Sequence, residues 1–179
     1  MRYLFPLLLA ASPAFAEVCP PVADRTSDLT AIHDNLARAQ SEAEAGPLNA
    51  QLWVIWTDAP DDRAQALLDE GMRRRAGFDF LGARDVFDEL VEYCPDYAEG
   101  YNQRAFANYL RQDFAAALVD LDRTLDINPQ HIGALSGKAL TLMGLGRQDD
   151  AQVALRAALA LNPWLGERAL LAEPPGEDI

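Results

Sequence analysis

Pro95, Pro129 and Pro163 stand 34 residues apart, and each closes the same pattern. Twelve residues before each proline is an alanine: Ala83, Ala117 and Ala151. Eight before is a large apolar side chain, Phe87, Leu121 or Leu155, and five before is Leu90, Thr124 or Ala158. A fixed period in this range marks a chain built by stacking one supersecondary unit on the next.

Taking each proline as the thirty-second position sets the units at 64–97, 98–131 and 132–165. The fourth position is large (Leu67, Tyr101, Leu135) and the eighth is small (Gly71, Ala105, Ala139). A small residue on the first helix facing the alanine of the second lets the pair cross closely, ridge into groove. The proline ends the second helix, because it lacks an N–H and disfavours helical geometry in the residue before it. These positions are those of a known helical-repeat family, and the resemblance implies an all-α fold: a right-handed α-solenoid of three helix pairs, with an N-terminal helical hairpin cap and a C-terminal closing helix.

In these positions the chain resembles the tetratricopeptide repeat family. The segment 132–165 matches most fully, with Leu135, Ala139, Leu145-Gly146, Ala151, Leu155, Ala158 and Asn162-Pro163 in the family's places. The second unit carries Asn108 and Thr124 where Tyr and Ala are usual, and the first has Glu70 and Arg74 at inward positions. The resemblance implies that the first helix of each pair lines a concave groove. It implies groove residues Leu68, Met72 and Arg75 in the first unit, Asn102, Phe106 and Tyr109 in the second, and Ser136 and Leu140 in the third. It also implies a non-enzymatic module that holds a segment of another protein or peptide. The family's Lys/Asn carboxylate clamp is absent, since Leu68 and Met72, then Ser136 and Leu140, occupy its positions.

The first residues, Met1-Arg2 followed by a short apolar run and Ala14-Phe15-Ala16, read as a secretory signal peptide over 1–16. Export to the periplasm follows as the expected location, with no stable membrane insertion once the signal is removed. The chain carries 28 acidic against 15 basic residues, a net charge of −13. Such a surface disfavours nucleic acid. Two cysteines in an exported chain, Cys19 and Cys94, make a disulfide the expected pairing.

Residues 17–63 are expected to hold the leader and the N-terminal cap. Ser27 or Asp28 opens a helix with Leu29, Ile32 and Leu36, Gly46-Pro47 breaks it, and a second helix carries Leu52, Ile55 and Trp56 as far as Pro60. Trp53 and Trp56 are expected to pack against the first repeat. Residues 166–179 are read as a closing helix and tail, with Pro174-Pro175 ending the helix.

Catalytic chemistry has no carrier in the sequence. His33 and His131 are isolated, and no HExxH, GxSxG or phosphate-loop pattern occurs. Neither a metal nor a cofactor is expected. Arg73-Arg74-Arg75 is a basic run, but successive helical residues point apart and cannot share a pocket. The leading reading is a monomeric interaction module. The alternatives are a structural part of a cell-envelope assembly, and a glycan-binding accessory for which Trp53, Trp56 and Tyr109 would supply stacking faces.

Overall fold

The computed structural model describes residues 18–172, so the signal peptide reading and the end of the tail lie outside the described residues. Regular structure among the described residues is entirely helical. In chain order the helices are α1 (Thr26–Arg38), α2 (Glu42–Trp56), α3 (Asp62–Ala76), α4 (Phe80–Tyr93), α5 (Ala98–Leu110), α6 (Phe114–Ile127), α7 (Ile132–Gly144) and α8 (Gln148–Leu161), followed by a 3₁₀ turn at Gly166–Leu170. The pairs α3–α4, α5–α6 and α7–α8 are the three repeats. None of these helices is long and apolar enough to cross a membrane.

The period is written into the turns as well as the core. Two residues past the end of α3, α5 and α7 the backbone is left-handed: Phe78 at φ 64°, Gln112 at 62° and Gly146 at 74°. In each turn the left-handed residue and its successor donate backward to the helix end, as in Phe78 N–H to Arg75 O (3.0 Å) and Asp79 N–H to Arg74 O (3.0 Å). This pair of bonds satisfies carbonyls the helix leaves orphaned. Asp79 and Asp113 then cap α4 and α6, accepting from Gly82 N–H and Ala116 N–H.

Between the helices the small residues do what their spacing predicted. Gly71 lies so close to Phe87 that a Cβ there would sit 2.3 Å from the ring. Ala105, Ala139, Ala83, Ala117 and Ala151 are all buried, as are Phe87, Leu121 and Leu155. On the outer side Arg104 makes a two-bond contact with buried Asp120 (2.9 and 2.6 Å) and also reaches Asp88 (2.8 Å). Burial pushes the Asp120 carboxyl up, and Arg104 pulls it back.

The N-terminal hairpin departs from its expected form in two ways. Gly46-Pro47 does not break a helix; Pro47 lies inside α2. The break falls at residues 39–41, where Ser41 accepts from Glu44 N–H and Glu44 returns a bond to Gln40 N–H (2.9 Å). That reciprocal capping fixes the helix start one turn before Pro47, so the proline removes a single intrahelical bond. α1 begins at Thr26 without a side-chain cap, so neither Ser27 nor Asp28 serves as one.

The second departure is placement. The hairpin does not pack simply against the first repeat. It crosses to the far end of the stack, where Ile32, Leu36, Ala45 and Leu52 bury with Ile132 against Leu161, Trp164 and Leu165. Asn162 donates to Asn49 (2.8 Å), the Trp164 indole donates to the Ala39 carbonyl (3.2 Å), and Arg168 pairs with Glu42 (3.1 Å). The closing element is correspondingly smaller than a full helix: five residues of 3₁₀ suffice, because the hairpin covers apolar surface that the last repeat would otherwise leave open. At the other end, the Cys19 and Cys94 sulfurs stand at disulfide distance, 1.97 Å, with Cα atoms 5.2 Å apart.

Candidate functional site

The inner face is made by α3, α5 and α7, and the hairpin lies along the edge where α5 and α7 begin. Trp56 stacks on His131, ring centroids 4.2 Å apart and planes 17° from parallel, while its carbonyl accepts from the Tyr97 hydroxyl (2.7 Å). Trp56 therefore anchors the hairpin to the start of the third repeat. Its contact with Tyr97 also ties it to the junction of the first two.

Beneath that stack is a buried polar chain. Glu99, 1% exposed, accepts from His131 Nε2 (2.9 Å), from the Gln103 amide and from Asn102 Nδ2 (3.2 Å). His131 Nδ1 accepts from Ala134 N–H (3.1 Å), capping α7. With that lone pair occupied, the ring carries its proton on Nε2 and donates it to Glu99. A buried carboxylate is tolerated only when its lone pairs are met, and Glu99 has several donors. Gln103 Oε1 in turn accepts from Arg75 Nη1. The chain runs Arg75, Gln103, Glu99, His131; it joins the first unit to the second and, through the cap that His131 places on α7, to the third.

Arg75 is half-buried and lies over the Phe106 ring, 4.5 Å from its centroid. Burial lowers its pKa, and the charge of Glu99 acts against that shift. The other two arginines of the run behave differently. Arg73 and Arg74 are exposed and pair with Glu70, Arg74 at 2.6 Å. The run is split by helical geometry, as its sequence implied.

A cleft of about 340 Å³ remains between α2 and the inner face. Six of the eight sequence-predicted groove residues line it: Arg75, Asn102, Phe106, Tyr109, Ser136 and Leu140. Leu68 and Met72 do not. Leu68 is fully buried in the α3–α4 core with Phe87 and Leu90, and Met72 packs against the same cluster. These two are corrections: their side chains turn into the repeat core instead of the groove. The opposite wall, which sequence reasoning did not place there, is Asn49, Trp53 and Trp56 from α2. The one signal of that helix's true extent was Ser41-x-x-Glu44, a capping box, but nothing local states where the helix docks. No cluster of metal-ligating side chains occurs among the described residues.

No family model matches the chain. It is 30% identical over 135 residues to a TPR repeat-containing protein of Rhizobium etli, covering 72% of this chain and 62% of that protein. It is 35% identical over 77 residues to a tetratricopeptide repeat protein 36 homolog of Nematostella vectensis, of which it spans 42%. Against mouse tetratricopeptide repeat protein 36 the identity is 30% over 139 residues, covering 75% of this chain and 72% of the mouse protein. The chain thus spans less than two thirds of the first two of these relatives. Among solved structures, it is similar to the first TPR of Spaghetti (RPAP3) bound to an HSP90 peptide, with TM-score 0.59, 21% identity, and 62% of this chain and 88% of that one covered. It is also similar to the TPR2B domain of yeast Sti1 in complex with an Hsp70 peptide, with TM-score 0.55, 24% identity, and coverages of 56% and 81%.

Proposed function

The chain belongs to the tetratricopeptide repeat family, and from that premise we propose that it is a non-enzymatic interaction module that holds a segment of another protein against its inner face. The observation carrying this reading is the cleft: six inner-face side chains from three repeats converge on one concavity with aromatic walls and few polar groups. Aromatic residues and arginine of this kind are enriched where protein surfaces meet. Two structural neighbours hold chaperone peptides, which supports the same mode of use. The proposed location is the periplasm, resting on the signal-like Met1–Ala16 sequence.

The hairpin narrows what can dock. An extended peptide running the full length of the groove meets α2 at the edge where α5 and α7 start. A partner segment enters instead at the Phe106, Tyr109 and Leu140 side. The glycan reading is less well supported, because Trp56 already has one face against His131 and Tyr109 packs on Phe114 with centroids 5.5 Å apart.

The test is in-cell crosslinking from a photoreactive residue at Phe106, with the same group at exposed Val119 on the outer surface as control. A discrete partner captured from Phe106 and not from Val119 is expected. Equal capture from both, or none from Phe106, removes the reading. Fractionation, together with N-terminal sequencing of the mature chain starting at Glu17, tests the location.

A further inference from the structure

We infer that the cleft beneath the hairpin is a binding site for a small apolar carboxylate, an acid of about arylpropionate size. Its hydrocarbon body would sit among Trp53, Phe106 and Leu140, and its anion would meet Arg75. This rests on the premise of the proposed function that the cleft is a binding site, and goes beyond it by giving the recess beneath the hairpin a second class of occupant, a free small acid.

About 340 Å³ is at the small end of ligand pockets, which are concave, mostly apolar and equipped with a few convergent polar groups. The walls here are Trp53, Trp56, Phe106, Tyr109 and Leu140, so a hydrocarbon or aromatic body is what they can desolvate.

The polar groups then bear on the charge of the guest: a guanidinium, an indole N–H and a hydroxyl stand against one carboxylate, Glu167. Arg75 makes one protein hydrogen bond, to the neutral amide of Gln103. The carboxylate that would naturally pair with it, Glu99, is committed to His131, Gln103 and Asn102. Two further groups lining the cleft, Trp56 Nε1 and the Thr141 hydroxyl, are buried and have no partner among the described residues. Buried donors left unmatched are costly, and such groups call for an explanation. The single acidic side chain of the lining is Glu167. A guest that brings acceptors and negative charge meets Arg75; a cation meets a guanidinium. Burial also weakens the hydration of Arg75, which strengthens its gain from an anion.

The test titrates the full chain with 3-phenylpropionate, followed by calorimetry and by NMR of the tryptophan indole N–H groups. Saturable one-to-one binding is expected. 3-Phenylpropionamide, and the acid with Arg75→Met, should each bind at least about tenfold more weakly. The Trp56 indole resonance should shift on binding, and that of Trp164, already bonded to Ala39, should stay. The indole readout uses the unaltered protein, so it decides the matter even if the variant folds poorly. Equal binding of acid and amide, or an unmoved Trp56 resonance up to the solubility limit, overturns the inference. So does a short peptide ending in Phe that binds at least about tenfold more tightly than the free acid, an outcome that would favour the partner-segment reading. The two readings also fail separately: Phe106 crosslinking can succeed while the acid does not bind, and the reverse.

Discussion

In the repeat stack, helices meet partners one or two elements away in sequence, whereas in the N-terminal hairpin Asn49 bonds to Asn162 and Ala39 to Trp164, across 113 and 125 residues. Both regions are paired helices, but they are held by different means. The stack repeats one close crossing, a small residue against a small residue with a large one filling the gap, so each pair is specified by its own sequence. The hairpin depends on surface assembled by the other end of the chain. It also carries buried polar atoms with no hydrogen-bond partner among the described residues, both ring nitrogens of His33 among them. The stack should therefore be the stable frame and the hairpin the part that opens first.

The largest expected effect lies in the frame. Phe87→Ala removes a fully buried ring that fills the space over Gly71. It should cost about 4–5 kcal/mol by urea denaturation and weaken repeats and hairpin together. A loss confined to the hairpin would break the comparison. Next is the covalent tether. Cys19→Ser frees the leader from Cys94, 75 residues on, and should cost about 4 kcal/mol in the chain-entropy model. Adding reductant to the unaltered chain should reproduce the loss. If neither treatment changes the melting curve, the tether contributes nothing.

Leu52→Ala is aimed at the hairpin alone. Leu52 is buried among Ile32, Leu36 and Ile132, and its truncation should cost about 3 kcal/mol of docking. Hydrogen exchange should rise across 26–56 and stay slow in α4, α6 and α8. A uniform rise would mean that the two regions unfold as one unit.

Acid should act in the same place. His33 is held below the usual histidine range mainly by burial, and the neighbouring His131 acts the same way; Gln130 and Asp34 favour the charged ring. The unfolded chain then binds this proton more readily than the folded one. The contribution of His33 is complete above the ordinary histidine pKa of about 6.5 and fades as the pH falls through the lower folded value. Protection of α1 and α2, taken relative to the intrinsic exchange rate at each pH, should fall between neutral pH and pH 5, and His33→Phe should flatten that dependence. An unchanged profile in the variant would assign the effect to another group.

The smallest effect returns to the frame. Phe78 holds a left-handed backbone that the third repeat gives to Gly146, and its ring is 81% exposed. Phe78→Gly should stabilise by about 0.5–1 kcal/mol, since little packing is lost and the backbone strain is relieved. A loss of stability would show that the contact of Phe78 with Phe80 matters more than the strain.

How much could be read from the sequence follows the same division. Ala83, Ala117 and Ala151, with the prolines twelve residues on, were legible because a crossing that recurs every 34 residues leaves the same mark each time. The inner-face set was legible at Arg75, Phe106 and Leu140, where family register and geometry agree. It was not at Leu68 and Met72, because the register does not show how far α3 turns its side chains into the Phe87 core. The wall supplied by Trp53 and Trp56 left no local signal. Amphipathic spacing says that a helix buries a face, not which distant surface receives it. The Glu99–His131 pair was hidden for a similar reason: the two residues are 32 apart and meet only because consecutive repeats stack.

The central claim, that the chain's own hairpin lies against its inner face and forms one wall of the cleft, is tested most directly by proton NOEs between the Trp56 indole and the His131 ring. With the rings stacked at 4.2 Å, strong cross-peaks are expected in the oxidised full chain at neutral pH. A Trp56 indole whose NOEs run only to α3 and α4, with none to His131 or Ile132, would contradict it.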